Sequence, residues 1–248
     1  MLPCELRAGR HWRIVTRNHG TIQGFGGGIP QYIPAVAGGA GNDRVVVFPN
    51  AVFQGNVNGE GGINTLELAA GAGVGVIQGL GSSFANFGVV SVDDGASWTF
   101  QSMQAATDTI NLAAAQVEFS GTVEASHTVA FTTGGATAKI DNVGQFAGTI
   151  TGFQRGDALD FAGVTATGVS YSPGTLTLLN GSIGFAQISF STPIAHPVFS
   201  IIADGLGGVS LHIEPLPNDF SGDSKSDLLW QNGTAFTRLG FHWKRIYA

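Results

Sequence analysis

The 248-residue chain carries a formal charge of −6, 43% hydrophobic residues, only 11% charged residues and 38 glycines. It is too apolar for a disordered chain and too rich in glycine for a helical protein, and no unbroken apolar run approaches the length of a membrane helix. A single cysteine, Cys4, excludes an internal disulfide and a thiolate metal cluster, and the expectation is a soluble or surface-attached β protein.

Charge is unevenly spread. Arg7, Arg10, Arg13 and Arg17 crowd one end and Lys225, Arg238, Lys244 and Arg245 the other, while only Arg44, Lys139 and Arg155 sit among the carboxylates between them. An acidic body of this kind repels nucleic acid and anionic membrane, so neither is expected as a partner. Residues 1–19 lack the apolar core and cleavage site of a secretory signal, and they read as a basic segment distinct from the repeating body, from a misplaced start or a fragment boundary.

From residue 20 two short phrases recur. The first is Gly20-Thr21-Ile22-Gln23-Gly24-Phe25, repeated in kind at Gly75–Leu80 and Gly148–Phe153; the second runs over Asn64–Leu68, Asp108–Leu112 and Asp157–Phe161. Degenerate repeats at unequal spacing point to stacked units with loops of variable length. Within them Leu66-Glu67-Leu68, Ile110-Asn111-Leu112 and Leu159-Asp160-Phe161 bracket a polar residue with an apolar pair, so one strand face enters a core and the other meets water. Strands are predicted at 44–48, 88–92, 128–132, 175–179, 188–191 and 209–213, each bounded by Gly, Asn, Asp or Pro. Helical periodicity is nearly absent; residues 102–106 offer a turn at most.

The predicted fold is all-β, a parallel β-solenoid over residues 20–214, because coils stacked about 4.8 Å apart need tight corners at fixed places and glycine supplies them. The alternative is a β-sandwich in the second half, where five or six strands succeed one another from Asp157 to Ile213 at sandwich-like spacing. The stiff Glu214-Pro215-Leu216-Pro217-Asn218 marks a boundary, with residues 215–248 as a further module.

That module opens on Asp219-Phe220-Ser221-Gly222-Asp223-Ser224-Lys225-Ser226-Asp227. Oxygen-bearing side chains at relative positions 1, 3, 5 and 9, with glycine at 4 to bend the backbone inward, suit a hard cation that takes six to eight oxygens, which makes Ca²⁺ the expected cofactor. The stretch resembles the calcium loop of FG-GAP/VCBS repeats. By that resemblance Asp219, Ser221, Asp223 and Asp227 offer side-chain oxygen and Lys225 its backbone carbonyl. Ser224 stands where the family commonly has glycine, and the chain carries one copy where the family has several.

Two further likenesses concern the body. Gly38-Gly39-Ala40-Gly41-Asn42-Asp43-Arg44-Val45-Val46 resembles one RTX nonapeptide, a family in which glycine-turn carbonyls and the aspartate bind Ca²⁺ between coils; the next nine residues do not continue it, and the plainer reading is a glycine-rich turn capped by Asp43. Residues 38–213 are similar in style to the passenger repeats of bacterial adhesins and autotransporters. The likeness implies a secreted or surface-displayed scaffold whose partner is a cell-surface glycan or another surface protein, with Phe84 and Phe87 stacked inside it.

For catalysis the sequence offers Asp93-Asp94, and Asp157 with Asp160 and Arg155, as acids of the type that glycan-cleaving β-helices employ. No Gly-x-Ser-x-Gly elbow is present, His127, His196 and His212 are isolated, and the clusters at Gly26–Gly28 and Gly38–Gly41 lack the lysine or helix of a phosphate cradle. A non-catalytic extracellular scaffold stabilised by calcium is therefore expected, the alternative being a polysaccharide lyase or hydrolase.

Overall fold

The computed structural model describes residues 15–24, 34–103, 108–194, 197–215, 228–232 and 235–239. They form a β-solenoid of about six turns. The first coils hold three strands each: β1 (Val15–Asn18), β2 (Thr21–Gln23) and β3 (Val36–Ala37); β4 (Arg44–Val47), β5 (Val52–Gln54) and β6 (Val57–Asn58); β7 (Thr65–Leu68), β8 (Gly75–Leu80) and β9 (Phe84–Ala85). The later coils hold two strands each: β10 (Val89–Val92) with β11 (Ser97–Met103), β12 (Thr109–Leu112) with β13 (Gln116–Phe119), β14 (Thr128–Phe131) with β15 (Thr137–Ile140), and β16 (Thr149–Thr151) with β17 (Ala158–Phe161).

Equivalent strands of successive coils pair in parallel and build two long sheets. The first runs β1-β4-β7-β10-β12-β14-β16, and the second includes β8-β11-β13-β15-β17. In the first sheet Leu66, Val90, Ile110, Val129 and Ile150 lie in one register column, and Leu68, Val92, Leu112 and Phe131 in another. In the second, Trp98, Val117, Ala138 and Leu159 form one column and Phe100, Phe119, Ile140 and Phe161 its neighbour. All are buried, and together they make one continuous core between the sheets. Each large side chain fully buried in this way contributes about 1.5–3 kcal/mol, so the alternation of the strands is the main source of the fold's stability.

The two sequence phrases do not mark one place in the coil. Asn64–Leu68 and Asp108–Leu112 supply strands to the first sheet, whereas Asp157–Phe161 supplies the second. The same pentapeptide serves both because each sheet asks the same thing of it: a polar corner residue, then an apolar pair pointing in. The unequal spacing of the repeats is a result of this double use.

Corners are tight. Gly75 sits at the start of β8, where an added Cβ would lie 2.4 Å from the Trp98 ring, so the indole packs flat on bare backbone. The Trp98 Nε1–H donates to the Ala69 carbonyl at 3.1 Å. Gly152 has φ +71° and an added Cβ there would lie 2.2 Å from the Phe131 oxygen, a position only glycine fills without strain. Ring contacts within the core join Phe100 to Phe119, Phe119 to Phe146, and Phe53 to Phe84; the ring partner of Phe84 is thus Phe53 on the preceding coil, while Phe87 is buried nearby.

Beyond β17 the pairing changes sign. β18 (Gly168–Ser172), β19 (Thr175–Asn180) and β20 (Ile183–Phe190) run antiparallel to one another and join the first sheet where β20 pairs with β16. β21 (Val198–Ala203) and β22 (Val209–Glu214) form an antiparallel pair that joins the second sheet at β17. The two additions meet: the Tyr171 ring packs edge-on against Phe199 and Phe190, and its hydroxyl accepts from the Ile194 amide at 2.8 Å. This closes the open end of the core, so the strands that suggested a sandwich extend the two solenoid sheets instead. β23 (Leu228–Asn232) and β24 (Ala235–Leu239) form a separate antiparallel ribbon.

Candidate functional site

Polar side chains inside the solenoid gather at the corner that precedes the first sheet. Asp43, Asn64, Asp108 and His127 each stand one residue before a strand of that sheet, and all four are buried. Asn64 explains why the position is polar. Its Oδ1 accepts from the Asp43 amide at 2.8 Å and its Nδ2 donates to the carbonyls of Asn86 and Gly61, so one side chain ties three turns together. Further along, Asp108 Oδ2 lies 3.7 Å from His127 Nδ1. Burial pushes the Asp108 carboxyl up to about 6.

The glycine-rich turn 38–43 stacks on its equivalent one coil later. The Gly61 amide donates to the Gly39 carbonyl at 2.8 Å and the Ile63 amide to Asn42 Oδ1 at 2.8 Å. Asp43 is folded inside the turn, its Oδ2 2.5 Å from where a Cβ on Gly38 would be. The next coil presents Asn64 at the equivalent corner, where its Oδ1 accepts from the Asp43 amide.

Charged side chains meet on the outer face of the second sheet. Glu118, Lys139 and Asp160 are register neighbours on β13, β15 and β17. The Lys139 ammonium bonds to Glu118 and lies 3.1 Å from Asp141, and Glu118 also accepts from the Thr99 hydroxyl at 3.0 Å. Bonding to Lys139 holds Glu118 below the ordinary carboxylate range and raises the lysine. Asp160 is raised by burial and then by Asp204. A smaller group lies on the first sheet, where Arg44 pairs with Glu67 and Asp93 is raised by burial and by Glu67.

The acids named from sequence do not converge. Asp157 is buried at the entry to β17, where its two carboxylate oxygens accept from the amides of Ala136 and Gln154 at 3.1 and 3.0 Å, while Arg155 is exposed on the preceding turn. Asp160 belongs to the Lys139 group, on the outer face. Asp93, Asp94 and Gly95 form a turn in which the Ala96 amide bonds back to the Asp93 carbonyl and Gly95 takes φ +69°. His212 lies on β22 with its Nε2 2.9 Å from the Ser210 hydroxyl. The calcium-loop residues Asp219, Ser221, Asp223, Lys225 and Asp227 lie outside the described residues, as do His196 and Gly26–Gly28. Among the described residues no group of three or more His, Cys, Asp or Glu side chains is placed to hold a metal ion, and no helix is long and apolar enough to cross a membrane.

Sequence reasoning missed the Glu118–Lys139–Asp160 column because its members are 21 residues apart and only Asp160 belongs to a recurring phrase. The signal was present: each is the central residue of an apolar-x-apolar triplet, Val117-Glu118-Phe119, Ala138-Lys139-Ile140 and Leu159-Asp160-Phe161. The geometry defines a β-solenoid repeat protein. In comparisons with known proteins the chain matches no family model, no curated protein and no solved structure.

Proposed function

We propose that the chain is a non-catalytic, extracellular scaffold of the adhesin type, displayed on or secreted from a bacterial cell and stabilised by Ca²⁺. The observation that carries this reading is the use already made of the acids. Asp157 is committed to two backbone amides at a buried corner, and Glu118 and Asp141 to Lys139. These are the attachments of a rigid rod that offers its faces to a partner such as a surface glycan or protein. The proposed calcium ligands are Asp219, Ser221, Asp223, Asp227 and the Lys225 carbonyl, a set of hard oxygens. A chain that binds the ion only when folded is stabilised where calcium is millimolar, as it is outside cells. Thermal melts of the whole chain in EDTA and in millimolar Ca²⁺ test this: calcium should raise Tm in the wild type and not in Asp223→Ala. Identical wild-type curves would overturn it.

The rival reading, a polysaccharide lyase or hydrolase, is favoured by one observation: the outer face of the second sheet brings Glu118, Asp141 and Asp160 to a single lysine, with Asp204 acting on Asp160. Release of reducing ends or unsaturated sugars from acidic and neutral polysaccharides, lost in Asp160→Asn, would favour it over the scaffold.

A further inference from the structure

The outer face of the first sheet differs from that of the second. Its first register column reads Thr65, Val89, Thr109, Thr128 and Thr149, one residue per coil. The antiparallel strands continue it without a break in face, through Ser189, Thr175 and Ser172. The column one step along the strands reads Ser91, Asn111, Ala130 and Thr151, and Ser191 stands on the same edge, its amide bonded to the Ile150 carbonyl. Thus from Thr65 onward seven of the eight rungs of the first column carry a hydroxyl. From β7 onward neither column holds a charge or an aromatic ring beyond Glu67; before β7 the same columns hold Arg44 on β4 and Arg17 on β1, at the end of the sheet away from the array.

The residues that alternate with them, Leu66, Val90, Ile110, Val129 and Ile150, are fully buried, which fixes the face that the threonines present. Pairing from β7 to β16 proceeds in register with no bulge, whereas the second sheet shifts register between Phe100 and Met103 and carries Glu118, Lys139 and Asp160 at the matching outward places. The first sheet therefore offers a two-dimensional array of small hydroxyl and methyl groups, spaced about 4.8 Å from rung to rung and about 6.6 Å along each strand.

We propose that this array, from Thr65 to Ser172, is an ice-binding face. Water held by hydroxyls on a rigid lattice is ordered at the lattice repeat, and both repeats here are of the order of the oxygen repeats in ice. Charges would impose their own radial hydration and break that order; past its first rung the array has none. A crystalline polysaccharide offers a similar repeat, but sugar rings are gripped by aromatic faces, and the array has none of those either. Each threonine also carries a methyl group, so part of the face is apolar and its water is displaced without loss of a hydrogen bond.

Ice recrystallisation inhibition and thermal hysteresis of the whole chain test the proposal. The wild type should slow recrystallisation at micromolar concentration, and the double substitution Thr109→Lys with Thr128→Lys should abolish this while leaving the far-ultraviolet circular dichroism unchanged. Thr137→Lys, at an outward position of the second sheet, should retain it. A wild type no better than a non-binding control overturns the proposal whether or not the variants fold. So does equal loss in Thr137→Lys, or retention on microcrystalline cellulose or chitin with no effect on ice.

Discussion

Asp108 and His127 stand one above the other at the same corner of adjacent coils, carboxylate oxygen to imidazole nitrogen 3.7 Å, both shut away from solvent. Burial raises Asp108 from 3.8 to about 6, so the folded chain holds its proton more tightly than the unfolded chain does. The stabilisation is then fully present below pH 3.8 and lost as pH rises through about 6, a change of about 3 kcal/mol. Asp157, Asp160 and Asp93 are shifted in the same direction, so the substitution isolates one contribution. Asp108→Asn, which places at this corner the side chain that Asn64 already supplies, is expected to raise Tm at pH 8 more than at pH 4. An equal Tm difference at the two pH values would sink the assignment.

Gly75 is expected to reject even a methyl group. In Gly75→Ala the new Cβ would meet the Trp98 ring at 2.4 Å, and because the indole is held by its bond to Ala69 the overlap must be relieved by moving the ring or the corner. Overpacking of this kind costs about 1–3 kcal/mol. Urea unfolding monitored by tryptophan fluorescence should show a lower midpoint, and a midpoint equal to that of the wild type would contradict the packing described.

The role given to Asp157 is separable from catalysis. Asp157→Ala leaves the Ala136 and Gln154 amides without their acceptor at a corner where burial makes each loss worth about 1–3 kcal/mol. Asp157→Asn keeps one carbonyl oxygen and should fall between. If the alanine variant melted like the wild type, the corner would not depend on this carboxylate.

Lys139→Met removes the cation from Glu118, Asp141 and Asp160. Glu118 is lowered chiefly by its bond to Lys139, so its contribution is present above the ordinary carboxylate pKa and lost as pH falls through the lowered one. The variant should be less stable than the wild type at pH 7, by no more than about 1 kcal/mol because the pair is partly exposed, and should match it in strong acid. A deficit that persisted at low pH would point to lost packing of the lysine stem instead.

The solenoid was legible because its rule is local. Leu66-Glu67-Leu68 and Ile110-Asn111-Leu112 state by themselves which face is buried, and the six strands expected at 44–48 to 209–213 are all present within a few residues of those bounds. What escaped was relational. His127-Thr128-Val129-Ala130-Phe131 obeys the same corner-strand rule as Asn64–Leu68, but histidine in the corner place disguised it. The threonines of the outer array look like ordinary strand formers until coils of unequal length bring them into one column. The antiparallel closure depends on the meeting of Tyr171 and Phe199, which no short-range pattern announces. The calcium-loop residues lie outside the described residues, so Asp219 to Asp227 rest on spacing and resemblance.

The closure also separates two properties that are coupled in most folds. Because the two antiparallel additions pair with the solenoid only at β16 and β17, and the strands from β10 to β17 otherwise pair only with those of adjacent coils, a duplicated coil inserted before β14 lengthens the rod without altering the seal at Tyr171. Each duplication would add one rung to both outer faces at once. Length, and with it the number of contacts a face can make, is therefore a quantity that evolution or an engineer can change in whole steps, leaving the chemistry of each step as it was.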